Sequence, residues 1–178
     1  MTRRQRFYWA MQTGTVAAPS GVIPIPEEYT DMDTTATTTA KNLKLMNTAY
    51  DLLMRAELDA CVGLLTDNFI ANVPGAPDPL HGTEIWRAGA QAMWEGFPDL
   101  EINVEDMFAA DDKVAVRVRF RGTHRGDFQG IPATNRQVDF RSIELYRFEG
   151  DRIAEEWVAP DIMSLMQQIT AEPGGVQP

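Results

Sequence analysis

The stretch IAEEWVAPD, residues 153–161, sets Glu155, Glu156 and Asp161 around Trp157, and the earlier run IELYRFEG carries Glu144 and Tyr146. Two carboxyl groups sharing an apolar pocket make a simple acid/base device. Burial disfavours the charged form and each charge opposes ionisation of the other, so near neutral pH one group holds a proton while the other accepts one. Residues 152–160 read as a β-strand, in which alternate side chains face opposite sides. Glu156 and Val158 then share one face, and Glu155 and Trp157 the other. On the preceding strand Ser142, Glu144 and Tyr146 share a face. If both faces look into one cavity, Glu144 and Glu156 form the pair, with Tyr146 as a hydrogen-bond donor beside them. The competing reading ties the same two acids to Arg141, Arg147 or Arg152 as structural ion pairs. Glu155 is expected on the surface or at an interface, and Asp161 as the cap of a closing helix.

His124 lies in GTHRG at a strand end, where glycines let the chain bend and lean over a cavity mouth. It reads either as a further donor to a substrate or as a loop anchor through a ring hydrogen bond. His81, just ahead of a helix, is a weaker candidate. With no HxH, HExxH or CxxC spacing no metal site is implied, and with no GxGxxG or P-loop no cofactor is expected. Cys61 is the single cysteine, so no intrachain disulfide can form. Its neighbours Leu58, Val62 and Leu65 mark it as a small buried hydrophobe. Trp86, Trp94 and Phe120, with Ser142 and Val158, would line a site suited to a flat hydrophobic ligand.

These side chains need elements to hold them. Leu43, Met46, Ala49, Tyr50 and Leu53 recur at helical spacing from Lys41, and Leu58 to Leu65 continue as a second short helix. TDNFIANVPG reads as a turn into a strand. Thr83 is a plausible N-cap of a third helix whose apolar side holds Ile85, Ala88, Ala92 and Trp86. LEINVEDMFAA alternates, and KVAVRVRFRGTH puts Val114, Val116, Val118 and Phe120 opposite Arg117, Arg119 and Arg121. In RQVDFRSIELYRFEG the apolar phase slips between Phe140 and Ile143, which a β-bulge would explain. Helices first and a long antiparallel meander afterwards make the class α+β: a curved antiparallel sheet packed on three helices as a cone around an apolar cavity. Residues 1–40, with three prolines and the tract TTATTTA, read as an arm or linker, residues 41–170 as the domain, and 171–178 as a tail.

A chain of 178 residues with 44% apolar content suffices for one domain with a real core, and no run is long enough for a membrane span. The 16 Lys and Arg against 26 Asp and Glu leave a net charge of -10. That surface repels phosphate backbones and anionic lipid, so neither nucleic acid nor a membrane is an expected partner. The amino terminus begins with a twin arginine, but its apolar run, Phe7 to Met11, is too short for an export signal. A cytoplasmic protein is expected. Trp157 on the outer side of a broad sheet needs a cover, which points to a homodimer or larger homo-oligomer.

Residues 41–170 resemble the SnoaL-like polyketide cyclases of the nuclear transport factor 2-like superfamily, which also includes ketosteroid isomerase and scytalone dehydratase. The likeness rests on FPDLEINVEDMFAADDKVAVRVRFRGTHRGDFQGIPATNRQV and IELYRFEGDRIAEEWVAPDIMSLMQQI. It implies the cone-shaped fold and cofactor-independent cyclase or isomerase chemistry on a hydrophobic polyketide-like carbonyl compound. A non-catalytic binding or scaffold member of the superfamily is the alternative. In the cyclases that close anthracycline rings, a histidine stands at the position of Glu144 and an aspartate acid/base at that of Val158. Both are replaced here, so proton transfer would fall to Glu144 or Glu156 as base, with Tyr146 or His124 donating to the developing enolate.

Overall fold

The computed structural model describes residues 32–171, with side chains from residue 36 onward. The expectations for the arm before Met32 and for the tail beyond Ala171 lie outside the described residues. Helix α1 spans Met32–Met54 and α2 Leu58–Val62, followed by β1 (Leu65–Asn72) and β2 (Leu80–His81). Helix α3 (Thr83–Gly96) leads into β3 (Glu101–Ala110), β4 (Lys113–Thr123), β5 (Gln137–Glu149), β6 (Arg152–Pro160) and α4 (Ile162–Thr170). No described helix is long and apolar enough to cross a membrane.

Helix α1 begins ahead of Lys41 and takes in the threonine tract. Each threonine costs only tenths of a kcal/mol in a helix, and extending an established helix adds a hydrogen bond per residue without a new nucleus. Asn42, Met46 and Tyr50 form its buried stripe. In α3 the side turned to the interior carries Trp86, Ala90 and Met93, while Ala88 and Ala92 are exposed. The apolar side expected from Ala88 and Ala92 is therefore corrected. Two indole rings have far more area to bury than two methyl groups, and they set the helix's rotation. Gly82, not Thr83, is the N-cap.

The six strands run in the order β2-β1-β6-β5-β4-β3. The antiparallel expectation holds for every pairing but one: β1 lies parallel to β6. Alternation of side chains specifies which face a strand buries, not its neighbour or its direction, so the sequence pattern carries no signal for this pairing. The sheet is thus mixed. Register shifts interrupt β3/β4 at Val104/Asp106, β5/β6 at Arg147/Phe148 and β1/β6 at Leu65/Ile70. Extra residues of this kind bend a strand and sharpen its twist.

No bulge falls between Phe140 and Ile143. Strand β5 alternates without a break, burying Val138, Phe140, Ser142, Glu144, Tyr146 and Phe148, while Ile143 is 55% exposed. The apparent slip arises because two polar residues occupy the inner face and two apolar ones, Ile143 and Leu145, the outer.

Beyond the end of β6 at Pro160, the edge of β5 is closed by a side chain. The Gln168 amide accepts from the Asp139 backbone N–H at 2.6 Å and donates to the Asp139 carbonyl at 2.9 Å, as a neighbouring strand would. Asp161 caps α4 by accepting from the Ser164 N–H at 3.0 Å. On the outer face the arginine row is neutralised within the chain. Arg117 and Arg141 meet Glu105, Arg119 and Arg121 meet Asp139, and Arg147 meets Glu149 and Glu155.

Candidate functional site

Between α1, α3 and the inner face of the sheet lies a cavity of about 230 Å³. Leu53 of α1, Trp86, Met93 and Trp94 of α3, and Phe120 and Phe140 of the sheet make walls that are mostly apolar. Phe120 stacks on Phe140 with ring centroids 5.1 Å apart, which fixes both rings in place. Into this surface project Glu144 and Tyr146 from β5 and Glu156 from β6. Tyr146 sits directly opposite Glu156 in the ladder and Glu144 opposite Val158, so the two acids are diagonal neighbours on one face.

Glu144 is held by phenols. Tyr50 reaches from α1 and donates to Glu144 Oε2 at 2.5 Å, and Tyr146 donates to the same oxygen at 2.5 Å, the two hydroxyls lying 3.4 Å apart. Burial first, and the charge of Glu144 second, push both phenols well above their usual range, so they remain donors through neutral pH. Charge-assisted bonds of this length are among the stronger ones available to a carboxylate. They leave Glu144 Oε1 without a described partner.

Glu156 is as deeply buried as Glu144 but is held by nothing. Among the described residues no hydrogen bond or ion pair reaches its carboxyl; Asn72 donates only to its backbone carbonyl, at 3.0 Å. Desolvation, aided by the charge of Glu144, pushes the Glu156 carboxyl up to about 8. It is therefore mostly protonated at neutral pH. The arginines that would have quenched the pair are all engaged elsewhere: Arg141 with Glu105, Arg147 with Glu149 and Glu155, and Arg152 with Asp67. Glu155 faces outward between Arg147 and Asn72. The stretch 153–161 thus holds one cavity acid, one outer-face acid and one helix cap.

Of the other residues singled out by sequence, Trp86, Trp94, Phe120 and Val158 line the cavity. Ser142 is on the correct face but packed under it, its hydroxyl buried with no partner among the described residues. His124 does not lean over the mouth; it is fully buried outside the cavity lining. Its ring packs on Phe97 with centroids 5.4 Å apart, and its Nδ1 lies 3.0 Å from Thr134 Oγ1. The physical reason is the close docking of its loop on the end of α3. Arg125 and Gly126 both donate to the Gly96 carbonyl, at 2.9 and 3.1 Å, and any side chain at Gly126 would overlap the Glu95 carbonyl. Of the glycines that suggested a bend over the cavity, Gly126 serves this contact and Gly122 lies against Asp99 and Leu100. His81 is an exposed residue of the short strand β2. Tyr50 is the participant that sequence reasoning missed. It occupies an apolar helical position, and the available clue was that a buried tyrosine needs a partner for its hydroxyl. No group of three or more potential ligands among the described residues could hold a metal ion.

The family model for SnoaL-like polyketide cyclases matches residues 44–169. The chain belongs to the SnoaL-like polyketide cyclase family. Among solved structures, a SnoaL-like candidate cyclase from Jannaschia Sp. CCS1 superposes with a TM-score of 0.71 at 25% identity, covering 76% of this chain and 96% of that one. IdmH, a candidate polyketide cyclase from Streptomyces antibioticus, gives 0.64 at 25% identity over 71% and 96%. AclR, a candidate hydroxylase from Streptomyces galilaeus, gives 0.69 at 20% identity over 78% and 87%, a likeness of fold alone. A search of curated proteins finds no match. In this SnoaL-like chain Glu144 and Val158 are paired across β5 and β6, and both line the cavity.

The raised Glu156 value has a stability consequence. Folding lifts this group from an ordinary 4.5 to about 8, so the folded chain keeps a proton that the unfolded chain releases. Its contribution is complete below the lower value and is lost as the pH rises through the higher one. Denaturant titrations are expected to show stability falling between those two pH values, by up to about 1.4 kcal/mol per pH unit from this group. In Glu156→Gln that part of the slope should vanish; an unchanged slope would mean that Glu156 ionises normally.

Proposed function

We propose that the protein is a cofactor-independent cyclase or isomerase that moves a proton beside a carbonyl of a hydrophobic, polyketide-like compound. The observation carrying this reading is the pair of buried carboxyls in one apolar cavity, one gripped by two tyrosines and one protonated and unpartnered, with every candidate arginine committed elsewhere. A structural ion pair would have no use for such an arrangement, because an unpaired buried acid is a cost to folding. In the proposed step, Glu144 Oε1 takes a proton from the carbon next to the carbonyl. Glu156 gives its proton to the carbonyl oxygen as negative charge develops there, leaving a neutral enol. Tyr50 and Tyr146 keep the Glu144 carboxylate oriented, and return of a proton to another carbon, or ring closure from the enol, completes the reaction. Glu156 replaces Tyr146 and His124 as the donor, since the Tyr146 hydroxyl is spent on Glu144 and His124 is outside the cavity.

The test is deuterium uptake from heavy water into α-tetralone, followed by mass spectrometry. Glu144→Gln is expected to slow exchange by about a hundredfold or more with ligand affinity within a few-fold, and Glu156→Gln to do likewise. The double variant should be little worse than the slower single one. Wild-type exchange no faster than buffer across a panel of polycyclic ketones would instead leave a binding module.

We also propose that the outer face is covered by a second copy of the chain. Phe108, Ala115, Leu145 and Trp157 form one continuous row across β3, β4, β5 and β6. Phe108 is 64% exposed, and Ile143 beside the row is similarly open. The ion pairs that frame the row are closed within the chain, which suits an identical surface better than a strongly charged partner. Sedimentation should give a dimer that Leu145→Lys dissociates with its exchange chemistry intact; a wild-type monomer at micromolar concentration would refute the contact.

A further inference from the structure

A second void of about 40 Å³ adjoins the cavity, walled by Met46, Ala49, Leu65 and Cys61 and sharing Trp86 and Tyr146 with the larger space. Voids able to hold a water are few in a close-packed interior, and filling this one with water would require polar partners. None is on offer. The hydroxyls of Tyr50 and Tyr146 are both spent on Glu144, and the Cys61 thiol, pushed up to about 11 by burial, points its weak donor at the Ala49 carbonyl 3.8 Å away. The void is thus mostly apolar, and Tyr146, which lines both spaces, is the direct cross-strand neighbour of Glu156.

We propose that this annexe is a subsite for a short alkyl substituent on the carbon next to the carbonyl that meets Glu156. The inference rests on the proposed proton-transfer reading for the placement of the carbonyl, and it narrows the ligand class to α-alkylated cyclic ketones. Methyl and ethyl groups fill a space of this size, whereas a longer chain outgrows it unless the helices part. Each methylene accommodated there leaves water for an apolar wall, worth about three- to fourfold in affinity.

Quenching of the fluorescence of Trp86 and Trp94 reads the binding of α-tetralone and of its derivatives carrying methyl, ethyl or propyl next to the carbonyl. Affinity is expected to rise about threefold per added carbon and to level off by propyl. Ala49→Leu, which fills the annexe, should flatten the series while leaving α-tetralone itself unaffected; Ala49→Val, a smaller intrusion, should cut it short by about one carbon. A wild-type series that is flat, a gradient that survives Ala49→Leu, or no binding by any member overturns the subsite. Loss of the gradient with deuterium exchange retained rejects the annexe alone. A normal gradient with no exchange rejects the acid/base reading and leaves the annexe as part of a binding pocket.

Discussion

A carboxylate moved from water into an apolar cavity loses most of its solvation, and a second one placed beside it adds repulsion. Everything near Glu144 and Glu156 can be understood as the protein's answer to that cost. For Glu144 the answer is hydrogen bonding, with two phenols on one oxygen. For Glu156 it is protonation, with the carboxyl lifted to about 8 by burial and by its neighbour. Two chemically identical side chains one diagonal step apart are thereby placed in different surroundings, and the nearby arginines are paired elsewhere among the described residues.

This arrangement makes demands on distant parts of the chain. Tyr50 must arrive from α1, so the helix that carries it has to pack across the sheet, and its buried stripe of Asn42, Met46 and Tyr50 provides the anchorage. Asn42 Nδ2 reaches the Asp111 carbonyl in the β3–β4 turn at 3.3 Å, tying the start of that stripe to the far end of the sheet. The alignment of β5 with β6 sets the Glu144 and Glu156 diagonal, and Asn72 locks β6 to β1 through the Glu156 carbonyl and the Glu155 carboxylate. Outer-face arginines satisfied by outer-face acids complete the separation, since a cation that crossed to the inner face would neutralise the pair.

Much of this was legible in the sequence. The two-residue period alone put Glu144, Tyr146, Glu156 and Val158 on one side, and the stretch 153–161 divided as read into cavity acid, outer acid and cap. The misreadings have a common cause: the residues that make the site depart from the pattern that identifies a core. Ser142 and Glu144 on the inner face of β5 looked like a bulge because a core strand is expected to bury apolar groups. Tyr50 passed as core because its polar atom is visible only when its partner is known. His124 was drawn toward the cavity by its flanking glycines, of which Gly126 serves close approach to Gly96, a contact between segments far apart in the chain. The parallel pairing of β1 with β6 is likewise a matter of tertiary connection, for which alternation carries no signal.

The central claim is that a neutral carboxylic acid stands in the cavity at physiological pH. Infrared difference spectra of protein labelled with carbon-13 at the glutamate side-chain carboxyls would show it directly. A protonated-acid band is predicted at neutral pH, fading with a midpoint near 8 and missing from Glu156→Gln at neutral pH and above. Complete conversion of all glutamates to carboxylates by about pH 6, well above the ordinary range for this side chain, would contradict the account.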